Sequence, residues 1–174
     1  MNISIRRGIE EDSEIISKIY AESWKCAYKG MVPDEYLKDL KDDFWVEKFK
    51  NWISEGNLNV KIIYADDKAA GAIAYGKSRD DKFSDYAEIW SFYLIPEYYR
   101  KGLGTKLMKS VLCEMRDEGY KHCYLWVLET NNNARRFYEK IGFRSNNDKC
   151  HSKILNKDLI DIRYVLDMQY LTLN

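Results

Sequence analysis

The sequence predicts an α/β layered domain, and three observations support this prediction. Apolar residues recur every three or four positions in some segments and alternate with polar residues in others, which are the spacings of helices and strands. In the second half of the chain these segments follow one another as strand, helix, strand, helix and strand, an order typical of layered α/β folds. The length of 174 residues suits one domain, and we expect residues 1–174 to form it.

The first third of the chain is predicted to be a short strand followed by three helices. Ile3 and Ile5 alternate with polar neighbours, which indicates the strand. Helical spacing then continues up to Gly30, and the Pro33-Asp34 pair is typical of a second helix start. A third, amphipathic helix is indicated by the spacing of Phe44, Trp45, Phe49, Trp52 and Ile53.

Three strands are predicted next. The apolar segments 60–64 and 70–75 indicate a hairpin, because the turn-forming residues Asp66-Asp67-Lys68 separate them. A longer strand covers 86–95 and ends at the proline that follows it, since proline has no N–H to continue a strand ladder.

Two helices and two strands complete the prediction. Apolar residues repeat every four positions over 103–115, and Gly119 ends this helix. A short apolar strand at 123–128 leads to a second helix at 134–141, and regular alternation at 160–168 predicts the final strand.

Composition excludes several classes of protein. The chain has 28 basic and 28 acidic residues and a sequence pI of about 6.7, which argues against nucleic-acid binding. The sequence shows no signal peptide and no apolar run of membrane-spanning length, so we expect a cytoplasmic protein without membrane contact. The four cysteines lie far apart and His122 and His151 are isolated, so we expect reduced thiols and no metal site.

The turn between strand 86–95 and helix 103–115 carries the sharpest chemical signal. It holds Gly102 and Gly104 among basic side chains, directly before a long helix. Free N–H groups and the positive end of the helix dipole favour phosphate there, and glycine lets a ligand approach the backbone. The chain lacks the P-loop pattern and the third glycine of a dinucleotide fingerprint, which argues against both nucleotide sites. The alternative is a glycine turn beside a solvated helix face.

A second segment, 131–143, leads from a strand end into a short helix. Asn131 suits a helix N-cap, and Tyr138 lies on the apolar side of that helix. Each residue alone has a purely structural explanation, a cap for the asparagine and core packing for the tyrosine.

Together the two segments resemble the GNAT superfamily of N-acetyltransferases, which use acetyl-CoA. The family's cofactor motif, Gln/Arg-x-x-Gly-x-Gly/Ala, reads here Tyr99-Arg100-Lys101-Gly102-Leu103-Gly104, with Tyr99 replacing the usual first residue. The family's later Asn-x-x-Ala-x-x-x-Tyr…Gly-Phe pattern is matched by Asn131, Ala134, Tyr138, Gly142 and Phe143. The resemblance covers about residues 3–170 in element order. It implies a mixed, mostly antiparallel, twisted sheet of about seven strands flanked by about four helices.

The resemblance also implies where acetyl-CoA binds. Its pantetheine arm would pair like an extra strand with Phe92, Tyr93 and Leu94, and a backbone N–H near Phe92 would polarise the thioester carbonyl. Asn131 and Ala134 would line the other side of the cofactor. The pyrophosphate would lie on the turn formed by Arg100, Lys101, Gly102, Leu103, Gly104 and Thr105.

Two catalytic roles follow from the same resemblance. Tyr138 matches the acid that protonates the departing CoA thiolate, a role that a protonated phenol can fill. Glu88 matches the general base of the histone-type branch. Its alternative is an ordinary polar residue of a partly exposed strand.

The resemblance further implies that the first helices select the acceptor amine. Trp24 and Tyr28 are the candidate acceptor-binding residues, with several acids close by in the sequence. Aromatic and acidic walls suit a cationic amine, whereas the alternative is that the aromatics pack the core and the acids begin helices. A polyamine, an amino sugar or antibiotic, an amino acid and a protein N-terminus all remain open.

We therefore expect an acetyl-CoA-dependent N-acetyltransferase that acts on a primary amine of a small molecule or peptide. One alternative is a catalytically silent acyl-CoA-binding sensor or scaffold, and another is a protein-interaction domain whose glycine turn is only structural. We also expect that the final strand, 160–168, lies at a sheet edge and allows a homodimer.

Overall fold

The computed structural model describes residues 1–170, so residues 171–174 of the predicted domain lie outside the described residues. The strands are β1 (Ile3–Arg7), β2 (Asn59–Ala65), β3 (Lys68–Lys77), β4 (Ala87–Leu94), β5 (His122–Leu128), β6 (Arg144–Ile154) and β7 (Lys157–Asp167). The α-helices are α1 (Ser13–Ala27), α2 (Asp34–Asp39), α3 (Val46–Ser54), α4 (Leu103–Asp117) and α5 (Asn132–Ile141).

All seven strands form one sheet in the order β1-β2-β3-β4-β5-β7-β6. Neighbouring strands are antiparallel except β4 and β5, which run parallel. The predicted mixed, mostly antiparallel sheet is therefore confirmed, with five α-helices where about four were expected. Within residues 1–170, no helix is long and apolar enough to cross a membrane.

Both faces of the sheet are covered, which explains why its central strands are rich in buried apolar residues. Helix α4 packs on one face through the residues that repeat every four positions, and Leu107, Val111 and Met115 are almost fully buried there. Helices α1 and α3 cover the opposite face through a cluster that includes Ile16 and Phe49. Burial of about 1.5–3 kcal/mol per large apolar side chain makes these two layers the main source of stability.

The pairing of β4 with its two neighbours creates an opening in the sheet. On one side β4 pairs with β3 as far as Leu94, and a bulge leaves Trp90 as the extra residue. On the other side β4 pairs with β5 only at residues 87–89, and the last pair joins Ile89 to Leu125. The two parallel strands therefore separate beyond Ile89.

Strand β6 was not predicted, and β7 does not lie where it was predicted. Almost every residue of β6 is exposed, so it shows no apolar alternation, and it forms by backbone pairing with β7. Strand β7 lies between β5 and β6 and not at the sheet edge. The expected edge position of strand 160–168 is therefore wrong, because β5 and β6 already pair with both of its edges. The homodimer stays a prediction.

Candidate active site

The cleft between β4 and β5 is flanked by two helix N-termini. Since β4 and β5 are parallel and each leads into a helix, α4 and α5 begin at the same edge of the sheet. Residues 90–94 of β4 have no strand partner on the β5 side. The structure thus brings Phe92, Tyr93 and Leu94 together with the two helix starts, although the Leu94 carbonyl already accepts a hydrogen bond from the Ser23 hydroxyl at 2.8 Å.

The start of α4 is an uncapped, positively charged helix N-terminus. Gly102 occupies the N-cap with φ +82° and no side chain caps the helix. The bond from the Lys106 N–H to the Gly102 carbonyl is 3.1 Å long, and helix geometry leaves the N–H groups of 103–105 without an intrahelical acceptor. Arg100 and Lys101 are exposed beside them, and the first turn of α4 has no acidic residue. This arrangement favours an anionic group.

The two glycines of the turn serve different purposes. A Cβ on Gly102 would meet nothing within 4 Å, so its positive φ is the reason for glycine there. A Cβ on Gly104 would lie 3.0 Å from Leu94 Cδ1 and 3.3 Å from Phe92 Cζ. Gly104 therefore allows α4 to pack closely on β4, and its role in making room for a ligand stays a prediction. The Phe92 ring in turn stacks on Phe137 of α5, with centroids 5.4 Å apart.

Asn131 caps α5, as its structural explanation predicts. Its side-chain oxygen accepts a hydrogen bond from the Ala134 N–H at 3.1 Å. Its amide nitrogen makes no hydrogen bond with any of the described residues, although Asn131 is only 7% exposed. The cap uses only the side-chain oxygen, so the amide nitrogen of Asn131 stays available as a donor. Asn131 can therefore both cap α5 and contact the cofactor.

Tyr138 presents a free hydroxyl from the α5 side of the cleft. The residue is 8% exposed, and its hydroxyl has no hydrogen-bond partner within residues 1–170. Burial raises the pKa of Tyr138 well above its ordinary value, and electrostatic interactions with Tyr28 and Tyr20 add to the shift. The phenol therefore keeps its proton throughout the neutral range.

Further tyrosine hydroxyls face Tyr138 from the α1 side. The hydroxyls of Tyr28 and Tyr93 lie 3.1 Å apart, and that of Tyr20 lies 2.6 Å from the Ser91 Oγ. Burial raises the pKa of Tyr93, with smaller contributions from Tyr28, Tyr20 and Tyr138. The structure thus gathers four tyrosine hydroxyls around the opening between the strands.

The candidate acceptor-binding residues lie beside this group. The Trp24 ring packs on Tyr28 with centroids 4.6 Å apart and lies 6.4 Å from the Tyr93 ring. Next to them is a cavity of about 220 Å³, whose lining includes four of the five tryptophans of the chain. Its aromatic lining comprises Tyr20, Trp24, Trp45, Phe49, Trp52, Trp90 and Tyr93.

Glu88 is buried, and its carboxylate accepts hydrogen bonds from Arg79 and Tyr124. It is 1% exposed, and its carboxylate accepts hydrogen bonds from the Arg79 guanidinium at 2.5 Å and the Arg79 backbone N–H at 2.9 Å. The Tyr124 hydroxyl donates a third at 2.8 Å. These hydrogen bonds occupy both carboxylate oxygens. The base role of Glu88 stays a prediction.

Asp161, which was not among the predicted site residues, is a half-buried carboxylate of β7 on the face of the sheet that packs against Tyr28. A signal was available, because Asp161 and Arg163 interrupt the apolar residues of the final strand. The alternation predicts the strand but not that both of its faces are covered, and Asp161 and Arg163 are half-buried and buried, respectively. No group of His, Cys, Asp and Glu within residues 1–170 is arranged to hold a metal ion.

Comparison with known proteins shows the same architecture and chemistry. The model of the Acetyltransferase (GNAT) family matches residues 16–143. The spermidine N(1)-acetyltransferase of Thermoplasma acidophilum is 32% identical over 149 residues, covering 83% of this chain and 89% of that protein. An uncharacterized N-acetyltransferase of Archaeoglobus fulgidus is 30% identical over 145 residues, covering 82% and 93%.

A solved structure extends the likeness to the cofactor. The crystal structure of the PaiA N-acetyltransferase of Thermoplasma acidophilum, in complex with coenzyme A, superposes with a TM-score of 0.75 and 29% identity. The match covers 93% of this chain and 98% of that one. By the family match, the relatives and the shared fold, the chain belongs to the GNAT family of acetyltransferases.

Proposed function

We propose that this acetyl-CoA-dependent N-acetyltransferase acts on a small polyamine and uses Tyr138 as its catalytic acid. The observation that carries the catalytic part is the free, protonated Tyr138 hydroxyl in the cleft between β4 and β5. The acceptor class is supported by the relative that is named for spermidine and by the aromatic lining beside Trp24 and Tyr93. Aromatic faces attract ammonium groups and also contact the methylene chains between them.

The cofactor would be held at three places. The uncapped start of α4, with Arg100 and Lys101 beside it, suits the pyrophosphate. The unpaired side of residues 92–94 suits the amide groups of the pantetheine arm, which can hydrogen-bond as an added strand. The amide nitrogen of Asn131 and the side chain of Ala134 would face the arm from the α5 side.

The reaction requires one bond to form and one to break. The acceptor nitrogen, after losing a proton from its ammonium form, attacks the thioester carbonyl carbon and forms the N–C bond. A backbone N–H near Phe92 would stabilise the carbonyl oxygen as it gains charge. The C–S bond then breaks, and the CoA sulfur takes the proton of Tyr138, which regains one from solvent or from the proton released by the amine.

A thiol-release assay over a panel of amines tests the proposal. We expect acetyl-CoA to raise the melting temperature, because a ligand that binds the native state stabilises it. We also expect thiol release with spermidine to exceed that with amino sugars, amino acids and peptide N-termini. Stabilisation by acetyl-CoA without turnover of any amine would instead support a silent acyl-CoA-binding module.

We further propose a cytoplasmic location. All four cysteines are free thiols, as is usual in a reducing compartment.

A further inference from the structure

The Asp161 side chain is half-buried in the sheet. It lies on β7, opposite Leu128 of β5 and Cys150 of β6. Its neighbours on the same face of the strand are Leu159, which is buried in a cluster with Leu128, and Arg163, which is 4% exposed. The carboxylate is therefore half-buried between an apolar cluster and the Arg163 side chain.

Asp161 has no hydrogen-bond or ion-pair partner among the described residues. The Arg163 guanidinium pairs with Asp80 and Asp148 and stacks on the rings of Phe83, Tyr124 and Trp126. Its Nε and Nη1 make no hydrogen bond with the described residues, and none of its nitrogens forms an ion pair with Asp161. Burial alone raises the pKa of Asp161, so no nearby cation compensates its charge. Buried carboxylates in proteins are normally paired, because an unpaired one is costly.

The unpaired carboxylate faces the reaction site through Tyr28. Tyr28 and Trp24 pack against the cluster that holds Leu128, the β5 partner of Asp161. The Tyr28 hydroxyl lies 3.1 Å from the Tyr93 hydroxyl, and Tyr28 interacts electrostatically with both Asp161 and Tyr138. Asp161, Tyr28 and Tyr138 thus form a sequence of polar groups that begins at β7 and ends at the acid beside the scissile bond. Trp24 packs against the middle of this sequence.

We propose that Asp161 binds a second, non-reacting ammonium group of the acceptor and thereby selects diamines and polyamines over monoamines. This inference rests on the proposed function, since it requires an amine acceptor in the same cleft. An ammonium at Asp161 would supply the missing counter-charge, while the other amine of the same molecule reaches the thioester near Tyr138. A monoamine of equal chain length lacks the group that Asp161 would hold.

The experiment compares diaminobutane with butylamine, in the wild-type protein and in Asp161→Asn. A hydrogen bond between charged groups contributes about 1.5–3 kcal/mol, which corresponds to a tenfold to hundredfold change. We therefore expect kcat/KM for diaminobutane to fall by about tenfold to a hundredfold in the variant, mainly through KM, and that for butylamine to stay the same. Asp161→Glu, which keeps the carboxylate, should retain part of the preference. Asp167→Asn, at the far end of the same strand, is the control and should behave as wild type.

The outcomes separate this inference from the proposed function. An equal fall for both amines would overturn it, since Asp161 would then act on the reacting nitrogen or on the fold, and no change for either would overturn it as well. Calorimetric binding of both amines to the CoA complex gives a second readout that needs no turnover. If wild-type protein acetylates no amine, the proposed function fails. The inference then stands only if the wild-type CoA complex binds diaminobutane at least about tenfold more tightly than butylamine and Asp161→Asn removes that difference. Asp161→Asn is nearly isosteric and removes an uncompensated charge, and a melting curve verifies that it folds.

Discussion

The Arg79 guanidinium holds Glu88 at the point where β4 and β5 separate. It donates to the Glu88 carboxylate at 2.5 Å and stacks over the Trp90 ring at 4.3 Å, so one side chain joins the last paired residues of β4 to its bulge. The Tyr124 hydroxyl connects the same carboxylate to β5. These hydrogen bonds link β4 to β5 directly before the cleft. They indicate that Glu88 positions the two strands.

Glu88→Gln is therefore expected to affect stability more than proton transfer. Losing the charge weakens the hydrogen bonds from the Arg79 guanidinium, and we expect the free energy of unfolding to fall by about 1–3 kcal/mol. The pH profile of kcat/KM should keep its acidic limb. A loss of activity of a hundredfold or more, together with loss of that limb, would establish Glu88 as the general base. Glu55→Gln, on the exposed end of α3, is the control.

Tyr138→Phe should lower kcat by about a hundredfold or more, because it removes the proton donor for the CoA thiolate. The affinity for CoA should stay within about twofold, since the ring and its packing on Phe143 are kept. Steady-state kinetics and CoA titration give the two values. Tyr120→Phe, a partly buried tyrosine before β5, should change neither. Wild-type turnover in Tyr138→Phe would remove this residue from the mechanism.

Gly102→Ala should reduce both stability and CoA affinity. Alanine at φ +82° costs about 1–2 kcal/mol in the left-handed region, and relief of that strain would move the N–H groups at the start of α4. Gly119→Ala provides a matched control, because Gly119 follows the other end of α4 with φ +97° and equally open space. Denaturation should give similar losses of stability for the two variants. Only Gly102→Ala should bind CoA more weakly, and equal CoA affinities would contradict a phosphate site at this turn.

Stability should fall with alkaline pH because burial raises the pKa of Tyr20, Tyr28, Tyr93 and Tyr138. Below the unfolded-state value of about 10 these phenols are neutral in both states, and their stabilising effect is complete. As pH rises above about 10, the unfolded chain loses protons that the native state retains, and stability declines.

Tyr20→Phe isolates one of these groups. Each tyrosine contributes a slope of at most about 1.4 kcal/mol per pH unit above pH 10, so the variant should lose up to that much of the slope. The lost hydrogen bond to Ser91 would shift the curve by a constant amount and leave the slope unaffected. Urea denaturation between pH 8 and 11 measures both, and an unchanged slope would contradict the shift at Tyr20.

Most helices and strands could be predicted because their apolar residues keep a regular spacing. The residues of α4 repeat every four positions and are buried as that repeat predicts. Strand β6 could not be predicted, since almost all of its side chains are exposed and its backbone pairing with β7 leaves no apolar alternation in the sequence. The place of β7 inside the sheet was missed for the same reason.

The candidate site was predictable where it depends on local motifs and not where it depends on tertiary contacts. Gly102 and Asn131 lie at the starts of consecutive helices, and their residue types indicate those positions. The engagement of Glu88 by Arg79 depends on the path of the loop between β3 and β4. The position of Asp161 depends on which helices cover the second face of the sheet. Neither relationship has a spacing that a single sequence displays.

The most direct test of the proposed function is acetyl-CoA-dependent thiol release with spermidine, in wild-type protein and in Tyr138→Phe, with CoA affinity determined for both. We expect turnover in the wild type, a fall of about a hundredfold or more in the variant, and nearly equal CoA affinity. Equal turnover in both proteins, or no turnover with any amine despite tight CoA binding, would contradict it.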